Sequence, residues 1–242
     1  MATVTHAPGK APKRRHRRQA GRSPLAAPLV LFAMTTLIAA AYVAYVLWPR
    51  WPDAPVTLNA PALPIIVAGV AFNIEPAAIR MPVQRRPGTQ ERVDLAYLWP
   101  SLVPPDPAFK PTVGAPVDPN ARLFVTIASG DGTLPLPLIE RVHTIYPRYL
   151  VPEPTAGPDG LTLRGFRDGT PYQGEELAFE SDAPEHFLAR CSRKGVVNSG
   201  TCLLERRIGT ADITVRFPRD WLTDWKDVVA GIDKLMMRLH PN

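Results

Sequence analysis

Cysteine is scarce in this chain: there are two in 242 residues, Cys191 and Cys202, and no CxxC pair. That argues against a zinc ribbon and against a thioredoxin-type redox centre. The sequence also lacks a G-x-S-x-G elbow, a phosphate-cradling P-loop, an H-E-x-x-H zinc motif and a dinucleotide fingerprint. The commonest signatures of hydrolases, nucleotide-binding enzymes and metalloproteases are therefore missing, and no cofactor is implied. Acidic residues are absent before Asp53. Long apolar runs are absent too, with one exception.

That exception is Leu25–Trp48, LAAPLVLFAMTTLIAAAYVAYVLW, which carries no charged side chain. As a helix rising about 1.5 Å per residue, its 24 residues reach about 36 Å, enough to cross a hydrocarbon core of about 30 Å with some tilt. Pro28 falls in the first turn, where its missing N–H matters little. Thr35 and Thr36 can donate to carbonyls of the preceding turn, and Tyr42, Tyr45, Trp48 and Trp51 gather at one end as an interfacial belt. Ala40 and Ala44 give a small-xxx-small spacing, but alanine is common throughout the run.

The formal charge of +6 divides unevenly about this run. Seven cations precede it: Lys10, Lys13, Arg14, Arg15, Arg17, Arg18 and Arg22. From Trp51 onward, 20 Lys/Arg stand against 22 Asp/Glu, so the larger part is near −2. Basicity thus belongs to the tail, and the positive-inside bias places the N-terminus in the cytoplasm and the rest across the membrane. A secretory signal peptide shares this layout, with Ala39-Ala40-Ala41 as a cleavable stretch. Its apolar region is usually about 7–15 residues, however, so a retained anchor is the better reading.

Lys13, Arg14, Arg15, Arg17 and Arg18 are read as topology determinants lying against anionic lipid headgroups. No aromatic residue interleaves with them, so a stacking platform for nucleic acid is not expected.

Four segments follow from this reading: a disordered basic tail (1–24), a transmembrane helix (25–48), a proline-rich stalk (49–64) and an extracytoplasmic domain (65–242). Seven prolines between 100 and 119 mark either a subdivision or a long surface loop, and the loop is preferred. Within the domain the expected strands are Ile65–Ile74, Arg92–Trp99, Arg122–Ala128, Leu161–Phe166, Glu175–Phe179, His186–Arg193, Thr201–Ile208 and Ala211–Phe217. A short helix is expected over Pro137–Tyr146. An amphipathic helix after Pro218 is built on Trp221, Trp225, Val229, Ile232, Leu235, Met236 and Leu239. The fold class is α+β: one N-terminal transmembrane helix, then a mostly antiparallel β domain with a short central helix and a C-terminal amphipathic helix.

Cys191 and Cys202 enclose ten residues rich in Gly, Asn and Ser, so paired strands would bring them together as a disulfide, preferred over two independent free thiols or a metal or redox pair. The oxidising side of a membrane permits that bond. Trp221 and Trp225 are either core residues, the preferred reading, or contacts for a partner.

Catalytic candidates are thin. Glu140 and His143 share a helix face but form a single pair. His186 with Ser192 or Ser199 lacks any supporting signal. Glu175 and Glu176, beside Tyr172, point to opposite faces of a strand. Asp131-Gly132, Asp159-Gly160 and Asp168-Gly169 read as turns rather than calcium loops.

The functional reading is a single-pass protein of a bacterial inner membrane, N-terminus in the cytoplasm, whose periplasmic domain binds a membrane or periplasmic protein in a scaffold or assembly role. A small-ligand sensor or a periplasmic hydrolase are the alternatives.

Overall fold

The computed structural model describes residues 26–47, 56–109, 121–130, 138–193 and 200–241. Helix α1 (Ala26–Leu47) belongs to one unit of the chain, and residues 51–242 form a second. Within α1, Ala27–Val46 is a 20-residue apolar stretch with mean hydropathy 2.1, none of it buried. The Thr35 and Thr36 hydroxyls both donate to the Phe32 carbonyl at 2.9 Å, so neither polar group is left unpaired along the helix. Residues 1–25, which include the basic segment, and residues 48–55, expected as the start of a stalk, lie outside the described residues.

The second unit opens with a hairpin, β1 (Leu63–Val67) and β2 (Val70–Ile74). The expected single strand over Ile65–Ile74 is thus two strands, because the chain reverses at Ala68-Gly69. Both residues have positive φ (51° and 81°), the geometry of a two-residue hairpin turn that continues the strand twist. Leu63 and Pro64, expected within a proline-rich stalk, belong to β1. Pro64 sits where β1 has a neighbour on one side alone, a position proline tolerates. Gly88–Gln90 forms a short strand, β3, parallel to β1.

The larger sheet contains β4 (Arg92–Leu98), β5 (Arg122–Ser129), β6 (Thr155–Ala156), β7 (Leu161–Gly165), β8 (Glu175–Glu180), β9 (Leu188–Ser192), β10 (Thr201–Ile208) and β11 (Ala211–Pro218). Their order is β4-β5-β11-β10-β9-β8-β7-β6, and every neighbouring pair is antiparallel. β4 and β5 flank the proline-rich segment and pair directly, so the chain leaves and re-enters the sheet at adjacent positions.

Alternation along each strand sends one set of side chains to an inner face. Register aligns Leu95, Val125, Val215, Leu204, Ala189 and Ala178 across six strands of that face, all of them buried. The small sheet contributes Ile65, Val67, Phe72 and Ile74 to the same core.

Helix α3 (Trp225–Leu239) completes it with Trp225, Val228, Val229, Ile232, Leu235, Met236 and Leu239, spaced three and four apart. The expected helix begins later than Pro218 implies. Residues Arg219–Asp224 form a tighter 3-10 segment, so Trp221 precedes α3.

A second, smaller cluster lies on the opposite face of the sheet. Helix α2 (Leu138–Thr144) and the turn Tyr146–Arg148 bring Val142, Ile145, Tyr146 and Leu150 onto Phe166, Leu177 and Leu188. At seven residues α2 is too short to persist alone, so packing holds it.

Candidate functional site

Among the described residues, α2 covers part of the outer face of the large sheet, and the part they leave uncovered has a distinctive composition. Strand register sets Ala96, Phe124, Arg216, Leu203, Arg190, Leu177 and Arg164 side by side across seven strands. Three guanidinium groups thus alternate with apolar side chains. At one end the Arg80 guanidinium lies 4.6 Å from the centroid of the Phe124 ring. At the other, Leu177 disappears beneath the second cluster, and Arg164 donates through Nε to the Val151 carbonyl at 2.8 Å.

A shallow cleft of about 300 Å³ opens in the middle of this row, lined by Glu175, Arg190, Ser192, Thr201, Leu203 and Arg216. Arg190 donates from Nη1 to Glu175 Oε2 at 2.6 Å, and its guanidinium sits 5.7 Å from the Tyr172 ring centroid. Its Nε is buried and has no acceptor among the described residues. Arg216 is exposed, and its side chain makes no hydrogen bond or ion pair with any of them. Arg122 lies on the same face, two residues from Phe124, which is paired with Arg216. The cleft therefore offers guanidinium donors in excess of carboxylate acceptors, with two hydroxyls beside them. Planar forks of this kind suit carboxylates.

Further clefts lie among the described residues. One of about 430 Å³ is lined by Gly157, Leu163, Arg219 and Leu222, and Arg219 is held there by Glu176. Another, of about 400 Å³, lies between Trp99–Leu102 and the Asp227, Gly231 and Lys234 side of α3. Among the described residues no group of three His, Cys, Asp or Glu side chains is close enough to hold a metal.

The residues singled out from sequence are dispersed. Cys191 and Cys202 face each other across β9 and β10 with Sγ atoms 2.01 Å apart, the separation of a disulfide, and both are buried on the inner face. Trp225 is 2% exposed. Its indole N–H donates to the Asp159 carbonyl at 3.1 Å, and its ring packs 5.1 Å from Phe187. A buried indole presents no face to a partner, so Trp225 belongs to the core. Trp221 is half-buried, its ring stacked on Trp99 at 4.8 Å.

Glu140 and His143 are both exposed on α2. His186 pairs through Nδ1 with Glu180 Oε2 at 2.7 Å, while Ser192 lines the outer cleft. Glu175 and Glu176 face opposite sides of β8, held by Arg190 and Arg219 respectively. Asp159 (φ 46°) and Gly160 (φ 81°) form a turn, with Asp159 ion-paired to Lys226 at 2.8 Å. Lys13, Arg14, Arg15, Arg17, Arg18, Ser199 and the Asp131-Gly132 pair lie outside the described residues.

Burial perturbs two phenols. It pushes Tyr97, close to Glu75, far above the ordinary tyrosine range, and it raises Tyr146 despite the neighbouring Arg141 and Arg190. Both are fully buried, Tyr97 in the main core and Tyr146 in the second cluster, so neither phenol opens into the cleft as an acid or base.

Fold and site together define an α+β domain, an antiparallel sheet with a helix on its inner face and a basic, apolar-interleaved row on its outer face. No protein-family model matches the chain, and no curated protein sequence does. Two solved structures resemble it. One is an immunity protein of the Stenotrophomonas maltophilia type IV secretion system, 14% identical, with TM-score 0.49, covering 74% of this chain and 92% of that one. The other is the iron-regulated outer membrane lipoprotein FrpD of Neisseria meningitidis, 11% identical, with TM-score 0.43, covering 76% of this chain and 93% of that one.

Proposed function

We propose that this chain is a single-pass protein of a bacterial inner membrane whose periplasmic α+β domain binds a protein partner in the envelope. The observation that carries the reading is α1. The 20-residue stretch Ala27–Val46 carries no charge, has mean hydropathy 2.1, and none of it is buried among the described residues. An apolar helix inside a soluble fold is covered by its neighbours, whereas one in a bilayer is covered by lipid.

Orientation rests on the seven cations before the run and the absence of acidic residues there. The two cysteines at disulfide distance support an oxidising location for the folded domain. The binding role rests on the outer sheet face, where charged and apolar side chains alternate over a shallow surface rather than converge in a deep pocket.

The test has two parts. Alkaline phosphatase fused after Asn242 is expected to be active and a green fluorescent protein fusion dark, with mass spectrometry finding residues 25–48 in the mature chain. Affinity purification of the detergent-solubilised chain is expected to recover a stoichiometric envelope protein. A bright fluorescent fusion, or a mature chain starting beyond residue 41, refutes the topology. Recovery of the chain alone, with a dissociable small molecule in its place, refutes the protein-binding role.

A further inference from the structure

We infer that the uncovered arginine row on the outer sheet face, centred on Arg190 and Arg216, docks an acidic segment of the partner protein. The inference rests on the protein-binding reading above and adds both a surface and a chemistry for the partner.

Three observations converge on this surface. First, its cations are under-used. Arg216 is exposed and unpaired among the described residues, and Arg190 keeps one buried donor, Nε, without an acceptor while sharing a single carboxylate, Glu175. A donor left unmet in a partly dry site costs free energy, so the Arg190 guanidinium is not saturated by Glu175.

Second, the arrangement is spaced. Arg216 and Arg190 stand on β11 and β9 with Leu203 of β10 between them. At about 4.8 Å per strand, their backbones lie about 10 Å apart, which about three residues of extended chain span. A segment with two carboxylates flanking an apolar side chain meets both guanidinium groups and Leu203 together.

Third, the local charge is complementary to an acidic segment. Two arginines face one glutamate in the cleft, an excess of positive charge that attracts carboxylates. The exposed aromatic that a nucleic acid would stack on is also missing from the row, because Arg80 already lies over Phe124.

The decisive measurement uses the full chain in nanodiscs and a fluorescein-labelled peptide of alternating glutamate and leucine, read by fluorescence anisotropy. Binding to the wild-type chain should weaken as salt rises. Arg216→Glu should weaken it by about tenfold or more, since it replaces an attraction with a repulsion. Arg207→Glu makes the same change in net charge on the same sheet but outside the cleft, and should leave binding intact.

Equal loss in the two variants would reduce the effect to general charge and overturn the inference. So would absence of binding to the wild type, or displacement of the peptide by inorganic phosphate or by phosphatidylglycerol vesicles. Thermal melts accompany each variant, and Arg216→Gln replaces Arg216→Glu if the latter unfolds. A parallel affinity purification separates the two readings. A partner recovered equally by wild type and Arg216→Glu keeps the protein-binding role and overturns this docking face. A partner lost only in Arg216→Glu supports both.

Discussion

Arg141 attaches α2 to the sheet, and replacing it should expose how that attachment works. The helix is a seven-residue segment, yet it carries one of the most buried cations in the described structure, with its side chain 8% exposed. Arg141 Nη1 donates to the Tyr146 hydroxyl at 3.1 Å, and Nη2 donates to Glu205 of β10, whose side chain is 18% exposed. Breaking a fully buried ion pair by removing one partner costs about 3–5 kcal/mol, because the other charge is stranded. Glu205 retains some access to water, so Arg141→Met should fall lower, at about 2–3 kcal/mol. Residues 51–242 form a unit of about 190 residues. At about 2–4 °C per kcal/mol for that size, the melting temperature should drop by about 4–12 °C. Glu205→Leu should cost more, at about 3–5 kcal/mol, since arginine cannot shed its proton and stays charged without a counter-ion. The double variant Arg141→Met/Glu205→Leu removes both charges and should be more stable than either single one. Tryptophan-fluorescence melts of the detergent-solubilised chain provide the readout. Single effects that simply add in the double variant, to within about 0.5 kcal/mol, would show the two side chains to be independent and refute the argument.

Three other outcomes follow from the same structure. Replacing both Cys191 and Cys202 by alanine should lower stability by about 3 kcal/mol, because the bond closes a short loop in the unfolded chain; equal denaturation midpoints for variant and wild type would contradict this. Gly231→Ala should destabilise, although alanine in a helix interior normally gains about 1 kcal/mol over glycine. Its Cβ would lie 2.7 Å from Trp99 Cζ3, forcing a ring that also stacks on Trp221, at a cost of about 1–3 kcal/mol; a raised melting temperature would refute the clash. Burial acts to raise the pKa of Asp94, but hydrogen bonds from Arg92, Gln84 and Thr126 outweigh it and hold the carboxyl below its usual range. Its contribution is therefore present above the unfolded pKa of about 4 and lost as pH falls through the lower folded value. The stability gap between wild type and Asp94→Asn should accordingly close in acid, and a gap independent of pH would contradict the assignment.

Local periodicity carried most of the sheet. Arg122–Ala128, Thr201–Ile208 and Ala211–Phe217 were legible because alternation of apolar and polar residues has one reading in a half-buried strand. The spacing of Val229, Ile232, Leu235, Met236 and Leu239 marked α3 for the same reason. Failures occurred where a backbone conformation carried no residue signal. Ala68 occupies positive φ without being the Asn or Asp that usually marks a hairpin turn, so the β1–β2 reversal was hidden inside a continuous apolar run. Trp225 is a different case. Its position on a helical face was clear, but its hydrogen bond to the Asp159 carbonyl joins residues 66 apart, and nothing local announces such a contact.

The arginine row was hidden for a deeper reason. Arg190 and Arg216 are each unremarkable in their own strands, a polar residue between two buried ones, as any solvent-facing position would be. What makes them neighbours is two successive registers, Arg216 against Leu203 and Leu203 against Arg190. A slip of one residue in either pairing would turn every side chain of that strand to the opposite face and dissolve the row. The disulfide fixes the second of these pairings, because Cys202 opposite Cys191 forces Leu203 opposite Arg190. The buried Phe217, opposite Cys202, anchors the first. The inner face thus sets the outer one: the cysteines that staple β9 to β10 in the core also place the guanidinium groups on the surface. Loss of the disulfide should therefore weaken acidic-peptide binding through altered register even under conditions where the domain remains folded.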